Sequence, residues 1–134
     1  MNATVPNKPL RILVVENDLD TLWALRLYLE DSGHDVSSAM NVHDASELLG
    51  QERFDVLICD IGLPDGTGWD LMSSFPPPLR RFFPIAMSGF GMNADSARSR
   101  AVGFRRHLLK PFKPGDLDVA LQEACVESCE DQQP

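Results

Sequence analysis

The sequence predicts a doubly wound α/β domain, in which a five-stranded parallel sheet carries helices on both faces. Short apolar runs, most of them rich in β-branched residues, alternate along the chain with segments whose apolar positions recur at helical spacing. Most of these runs end in polar residues followed by turn-forming residues. Strands that alternate with helices in this way are joined by right-handed crossovers and lie parallel. No internal repeat or low-complexity tract competes with this pattern.

The composition limits the chain to one globular domain. With 134 residues and 43% hydrophobic content, it is long enough to bury a core. We expect a loose lead-in at residues 1–9, the domain at 10–128 and a polar tail at 129–134. The net charge of −8 argues against a nucleic-acid-binding domain. Three cysteines, an odd number without a signal-peptide pattern, and the lack of a long apolar run predict a cytoplasmic protein that does not enter the membrane.

The first strand and helix are predicted within residues 10–33. Residues 10–15 are a short apolar run, which predicts a strand. The helix predicted over 19–32 has one buried face, because its apolar residues recur at Leu22, Leu25 and Leu29. Gly33 supplies the C-terminal stop.

The second strand is the weakest of the five. Residues 34–40 contain one β-branched residue, and we predict an edge strand mainly because the neighbouring elements leave no other role. Asn41 can cap the following helix, whose inner face carries Ala45, Leu48 and Leu49. Residues 54–60 then form a buried strand that delivers Asp60 to its C-terminal end.

The third helix and fourth strand follow a glycine-rich loop. Four glycine and proline residues between positions 62 and 68 impose tight turns after Asp60. We predict a helix over 66–75, which must stop at the three prolines of 76–78. Residues 84–88 are the fourth strand, ending at Ser88.

The last part of the chain completes the alternation. A helix is predicted over 93–102, with three small residues on its inner face: Ala94, Ala97 and Ala101. Residues 104–109 form the fifth strand and deliver Lys110. Pro114 opens the final helix, which is predicted to run to about Ser128.

Polar side chains should converge at one edge of this sheet, because parallel strands end on the same side. The set comprises Glu16, Asn17, Asp18, Asp60, Ser88 and Lys110. Crowded carboxylates repel one another unless a cation lies among them, and hard oxygen ligands suit Mg²⁺. A lysine and a hydroxyl opposite the metal would complete a pocket for a dianionic group. A carboxylate in such a pocket is a plausible nucleophile towards phosphorus.

Four motifs together resemble the receiver domain of two-component response regulators. They are Val14-Val15-Glu16-Asn17, Asp60-Ile-Gly-Leu-Pro-Asp-Gly, Met87-Ser88-Gly89 and Lys110-Pro111-Phe112. Each lies in its expected strand, and the match covers about residues 10–127. The resemblance implies the flavodoxin-like strand order 2-1-3-4-5.

The resemblance also implies roles for individual residues. Asp60 would accept the phosphoryl group. Mg²⁺ would be held by Glu16, position 17, Asp60 and the backbone carbonyl of Gly62. Ser88 would be the switch hydroxyl. Lys110 would contact the phosphoryl group, and the peptide bond to Pro111 would be cis.

The same resemblance implies a phosphorylation switch that is not a metabolic enzyme, since it catalyses only its own phosphorylation and dephosphorylation. The phosphoryl donor would be a sensor histidine kinase or a histidine phosphotransfer protein. Ser88 would move towards the new phosphoryl oxygens, and His107, at the place of an aromatic residue of the family, would turn inward. A downstream protein would bind the face formed by the fourth helix, fifth strand and fifth helix. Four arginines there suggest an acidic partner: Arg98, Arg100, Arg105 and Arg106.

Asn17 departs from the family pattern, because an acid normally ligates the metal at this position. We therefore expect weaker Mg²⁺ binding unless Asp18 or a water compensates, and a receiver-like domain that binds partners without phosphorylation is the main alternative. A flavin-binding domain fits poorly because Glu16 and Asp18 would repel a phosphate. An aspartyl phosphatase fits poorly because Gly62 stands where its second acid would be.

Overall fold

The computed structural model describes residues 9–89 and 96–131, and side chains as far as residue 127. Within these ranges the chain forms seven strands and five α-helices. In chain order they are β1 (Arg11–Val15), α1 (Leu19–Asp31), β2 (Asp35–Ala39), α2 (Val42–Gln51), β3 (Val56–Asp60), β4 (Gly62–Leu63), β5 (Gly66–Thr67), α3 (Gly68–Ser73), β6 (Phe83–Ser88), α4 (Ser96–Val102), β7 (Arg106–Leu109) and α5 (Pro114–Asp131). A single 3₁₀ turn, Pro77–Leu79, precedes β6.

The five longer strands form one parallel sheet in the order β2-β1-β3-β6-β7. Counted without the two-residue strands, this is the predicted order 2-1-3-4-5, so the doubly wound fold class is confirmed. The predicted edge strand is present, and β2 pairs along its whole length with β1. The sheet and its helices therefore have the arrangement that parallel βα units produce.

Side chains of the strands alternate between two apolar layers. On one face, Ile12, Val14 and Ile58 pack with the buried leucines of α1 and with α5. On the other face, Leu13 and Leu57 pack with α2 and α3. The three leucines predicted on the inner face of α1 are buried, namely Leu22, Leu25 and Leu29. Helices thus cover both sides of the sheet, and its strands are apolar on both faces as a buried parallel sheet requires.

The loop after β3 contains a feature that the sequence did not indicate. Strands β4 and β5 form a small antiparallel hairpin. The Thr67 hydroxyl then accepts a hydrogen bond from the backbone N–H of Asp70, and the Asp70 carboxylate accepts one from the backbone N–H of Thr67. This capping box starts α3 at Gly68, two residues later than predicted, and the helix ends at Ser73.

The prediction for the inner face of α4 was wrong. Ala97 and Ala101 are exposed, whereas Ser99 is buried. The reason is that the Ser99 hydroxyl makes hydrogen bonds to side chains of neighbouring elements, which decides which face turns inward. Ala94 and the predicted start of this helix lie outside the described residues.

The final helix extends three residues beyond the predicted end, to Asp131. Most of the lead-in, residues 1–8, and the last three residues of the chain lie outside the part that the structure describes. Within the described ranges, no helix combines the length and the apolar character needed to cross a bilayer.

Gly68 lets α3 approach the end of β3. A Cβ atom added there would lie 2.8 Å from the backbone oxygen of Asp60 and 3.2 Å from Cys59 Sγ. Backbone cannot retreat as a flexible side chain can, so we expect Gly68→Ala to lower the free energy of unfolding by about 1–3 kcal/mol. Urea unfolding measures this change.

Gly50→Ala is the matched control. Gly50 lies in α2, and its added Cβ would meet no atom within 4 Å. Because alanine lowers the conformational entropy of the unfolded chain, this substitution should raise the free energy of unfolding by about 0.5–1 kcal/mol. Equal effects of the two substitutions would contradict the steric role assigned to Gly68.

Candidate functional site

The register of the sheet brings the predicted site residues to one edge. Asp60 ends β3 beside Met87 of β6, and Ser88 ends β6 beside Leu109 of β7. Glu16 directly follows β1, and Lys110 directly follows β7. Convergence of these residues follows from parallel pairing, because every strand contributes its C-terminal end.

Lys110 binds both acidic side chains of the site. Its Nζ lies 3.1 Å from Asp60 Oδ2 and also donates a hydrogen bond to Glu16 Oε1. Glu16 is 1% exposed and Asp60 is 8% exposed. Two carboxylates that are nearly withdrawn from water therefore share one ammonium group.

The pKa values of this group reflect burial and mutual charge. Burial, and secondarily the negative charge of Asp60, raise the pKa of Glu16, although the hydrogen bonds from Lys110 and from the Asp18 backbone oppose the rise. For Lys110, burial alone would lower the pKa. The hydrogen bonds and charges of Glu16 and Asp60 outweigh burial and raise it. The two carboxylates thus favour the charged form of Lys110.

The side chains of Asn17 and Asp18 differ in their contacts. Asp18 caps α1: its Oδ2 accepts hydrogen bonds from the Thr21 backbone N–H at 3.0 Å and from the Thr21 hydroxyl at 2.6 Å. The side chain of Asn17 is exposed. Within the described ranges, the acidic groups of the site do not form a cluster of three carboxylates within 4.8 Å of one another. In this structure the Asp18 carboxylate is engaged in capping α1.

The glycine-rich loop is tied to α2 by one carboxylate. Asp65 accepts hydrogen bonds from the backbone N–H groups of Val42 and His43, at 2.7 and 3.0 Å. These bonds lower the pKa of Asp65. The backbone N–H of Gly68 donates to the Ile61 carbonyl at 2.9 Å. The loop that carries Gly62 past Asp60 is thereby fixed at both ends.

The donor set at this edge fits a hard divalent cation. Carboxylate oxygens of Glu16 and Asp60 both bind Lys110 Nζ, and the negative charge of Asp60 adds to the effect of burial in raising the pKa of Glu16. The amide oxygen of Asn17 and the Gly62 carbonyl are further hard oxygens on adjoining segments. Oxygen ligands with room for water are what Mg²⁺ prefers.

Ser88 and His107 form a direct contact. Ser88 Oγ lies 2.6 Å from His107 Nε2, and the backbone N–H of Lys110 donates to the Ser88 carbonyl at 2.8 Å. The peptide bond between Lys110 and Pro111 is cis, which confirms the expectation for this loop. The sequence analysis missed Ser99, which contacts His107, and Trp69, which donates a hydrogen bond to Ser99, because neither lies in a motif and their spacing carries no signal.

The arginines near α4 and β7 are largely engaged. Arg105 pairs with Glu127, and the Arg106 guanidinium donates to Glu123 Oε1 at 2.6 Å. Arg98 lies over the ring of Trp69 at 4.1 Å. Acidic residues of α5 thus offset half of the basic cluster that the sequence suggested as a docking patch.

Removing Lys110 tests this electrostatic arrangement. Lys110→Met leaves Glu16 and Asp60 buried without their shared cation. We therefore expect the free energy of unfolding to fall by about 2–4 kcal/mol at pH 7 without divalent metal. A carboxyl whose pKa is higher in the folded protein than in the unfolded protein takes up its proton at a higher pH in the folded state. The deficit should therefore shrink as the pH falls from 7 towards the ordinary glutamate value of 4.5.

Urea unfolding at pH 7 and pH 5 measures both effects. Lys113→Met is the control, because Lys113 is exposed and its side chain contacts neither acid of the site. A deficit that is the same at both pH values would argue that Lys110 contributes packing and not charge.

Comparisons with known proteins agree with this fold. The family model described as the response regulator receiver domain matches residues 12–122. An uncharacterized 14.6 kDa protein of Leptolyngbya boryana is 33% identical over 117 residues, covering 86% of this chain and 89% of that protein. The probable transcriptional regulator Ycf29 of Pyropia yezoensis is 32% identical over 80% of this chain and 49% of its own length. The alginate biosynthesis regulator AlgB of Pseudomonas aeruginosa is 30% identical over 87% of this chain and 26% of its own length.

Solved structures give the same result. A CheY-like receiver domain from Methanospirillum hungatei superimposes with a TM-score of 0.84 at 26% identity, covering 92% of this chain and 99% of that one. A putative response regulator from Chloroflexus aurantiacus gives a TM-score of 0.81 at 25% identity, covering 87% and 98%. The chain spans nearly all of some relatives and about a quarter to a half of others. With the matching family model over most of its length, the chain belongs to the response regulator receiver domain family of two-component signalling.

Proposed function

We propose that this domain accepts a phosphoryl group on Asp60 in an Mg²⁺-dependent reaction and thereby switches a protein–protein interaction. The observation that carries the proposal is the buried Asp60 carboxylate held 3.1 Å from the Lys110 ammonium at the open edge of the sheet. The end of β3 fixes the position of the Asp60 carboxylate, and the Lys110 ammonium lies beside it. Phosphoryl transfer requires positioning and charge stabilisation of this kind.

The transfer step uses groups of this chain. One Asp60 oxygen forms the bond to phosphorus while the bond from phosphorus to the donor's imidazole nitrogen breaks, and the donor keeps that electron pair. Lys110 neutralises one phosphoryl oxygen, and the Ser88 hydroxyl donates to another. The metal would be held by Glu16, Asp60, the Asn17 amide oxygen and the Gly62 carbonyl. When bound, it supplies positive charge to the phosphoryl oxygens.

The domain promotes only its own phosphorylation and dephosphorylation, so it is a signalling switch without a metabolic substrate. The donor is a sensor histidine kinase or a histidine phosphotransfer protein, and we expect the domain in the cytoplasm. Cell fractionation tests that location.

The downstream protein binds the face of α4, β7 and α5, without direct contact to nucleic acid. Amide hydrogen exchange on this face should differ between phosphorylated and unphosphorylated protein, and identical exchange would contradict this assignment.

Labelling by acetyl phosphate tests the central step. We expect wild-type protein with Mg²⁺ to gain the mass of one phosphoryl group and Asp60→Ala to gain none, because the acceptor is gone. Intact mass spectrometry measures the gain. EDTA provides the metal-free control. Lack of labelling in wild type that is shown to be folded would instead favour the alternative, a receiver-like domain that binds partners without phosphorylation.

The identity of position 17 gives a separate test of the metal site. Asn17→Asp adds a carboxylate beside Glu16 and should tighten Mg²⁺ binding by about tenfold, since one extra charge contact of about 1.4 kcal/mol corresponds to that factor. Isothermal titration calorimetry measures the dissociation constant.

Gln122→Glu is the charge-matched control for Asn17→Asp. Gln122 lies exposed on α5 and takes part in none of the contacts described for the site. The control should leave Mg²⁺ affinity unchanged. Equal tightening in both variants would mean that general charge, not ligation at position 17, governs the affinity.

A further inference from the structure

Four arginines line a cavity at the edge of the sheet opposite to Asp60. The cavity has a volume of about 500 Å³ and lies where β3, β6 and β7 begin, whereas the site described above lies where strands end. Its basic lining residues are Arg53, Arg80, Arg81 and Arg105. A cavity of this volume is within the range that small-molecule ligands occupy in proteins.

The positive charge of this arginine cavity is only partly balanced. Two carboxylates line it, Asp55 and Glu127. Glu127 pairs with Arg105, and Asp55 Oδ2 accepts a hydrogen bond from the Arg11 backbone N–H at 2.8 Å. The lining therefore carries four positive and two negative charges, in a chain whose net charge is −8. An excess of positive charge at this place favours an anionic ligand.

The side chains of Arg53 and Arg81 have no counter-ion among the described residues. Both are exposed, and neither guanidinium makes a hydrogen bond or an ion pair within the described ranges. A second cavity of about 430 Å³ shares Arg53, Arg81 and Phe82 with the arginine cavity. The two arginines thus border both cavities, and they can approach a ligand without breaking an existing contact.

Arg80 is a partly buried cation without a carboxylate partner in the described part of the chain. Its Nε donates to the Phe75 carbonyl at 2.9 Å, and its Nη2 donates to the carbonyls of Met72 and Val102 at 3.5 and 3.4 Å. Burial lowers the pKa of Arg80, and no negatively charged side chain opposes this effect. Gly103 leaves room for the guanidinium, because an added Cβ would overlap Arg80 Nη1. An anion bound in the cavity would supply the missing negative charge.

The three arginines without carboxylate partners indicate which anion fits. A guanidinium binds phosphate through two parallel hydrogen bonds, and it is weakly hydrated, so it loses little on leaving water. A diphosphate group concentrates more negative charge in this volume than the carboxylates of a peptide do. We propose that the arginine cavity binds a ligand that bears a diphosphate group, with Arg53, Arg80 and Arg81 as its cationic contacts. The proposal does not depend on phosphorylation of Asp60, which lies at the other edge of the sheet.

Titration with inorganic pyrophosphate tests the site. The buffer is freed of divalent cations by a chelating resin, so that no metal joins the probe to the acidic edge. In ¹⁵N-labelled protein we expect the backbone amide signals of Phe83, Gly103 and Arg105 to shift with a Kd of about 0.1 mM. The signals of Asp60 and Lys110 should stay in place. Shifts confined to the Asp60 edge would overturn the proposal.

ADP is the second probe, because it carries the same group on a nucleoside. Tighter binding of ADP than of pyrophosphate would identify a nucleotide as the source of the diphosphate, and the reverse order would identify the free anion. No saturable shift with either probe up to about 10 mM would overturn the proposal. Tighter binding of a hexaglutamate peptide than of both probes would also overturn it, in favour of an acidic protein partner.

Two variants test the assigned contacts. Arg53→Gln and Arg81→Gln each remove a guanidinium that has no contact to lose within the described ranges, and each should weaken pyrophosphate binding about tenfold. Arg100→Gln is the charge-matched control, since Arg100 is exposed on α4 and does not line the cavity. It should bind pyrophosphate as wild type does. Equal weakening in all three variants would mean that net charge governs binding, and would overturn the site.

Discussion

Two buried carboxylates and one ammonium group connect the C-terminal ends of three strands of the sheet. Glu16 follows β1 and Lys110 follows β7, with β3 and β6 between them. Lys110 reaches across these two strands to bind Glu16 and Asp60 together. An uncompensated carboxylate this deeply buried would cost several kcal/mol, so the lysine stabilises the strand ends at this spacing. The arrangement that stabilises the edge is thus also the arrangement that presents a nucleophile beside a cation.

Charge balance explains how a neutral residue can stand at position 17. Glu16, Asp60 and Lys110 leave the site with one net negative charge, and a divalent cation would leave it with one net positive charge. A phosphoryl group on Asp60 carries about −1.5 to −2 charge, so the loaded site would lie between about 0 and +0.5. A third acid would make the loaded site negative. Asn17 therefore weakens attraction for a cation in the resting site but leaves the proposed phosphorylated site close to neutral.

Sequence patterns predicted those features that depend on strand periodicity and on where strands end. Asp60, Ser88 and Lys110 lie at one edge because parallel pairing requires it, whatever their side-chain contacts. The α3 start and the inner face of α4 were not predicted correctly. A capping box at Thr67 and the hydroxyl contacts of Ser99 decide them, and these depend on which groups the tertiary structure brings within hydrogen-bond distance. Small residues such as alanine carry little apolar area, so their spacing in α4 was a weak guide to burial.

The polar attachment of α4 distinguishes it from the other helices. In its described part, Ser96–Val102, the one buried residue is Ser99, whereas α1 buries three leucines and α3 buries Trp69, Leu71 and Met72. A helix held by hydrogen bonds with little apolar burial opens at lower free energy than one held by leucines. The bonds that hold Ser99 are also those that lead through His107 to Ser88. A change in the partner of Ser88 would therefore act on α4, which lies on the face proposed for the downstream protein.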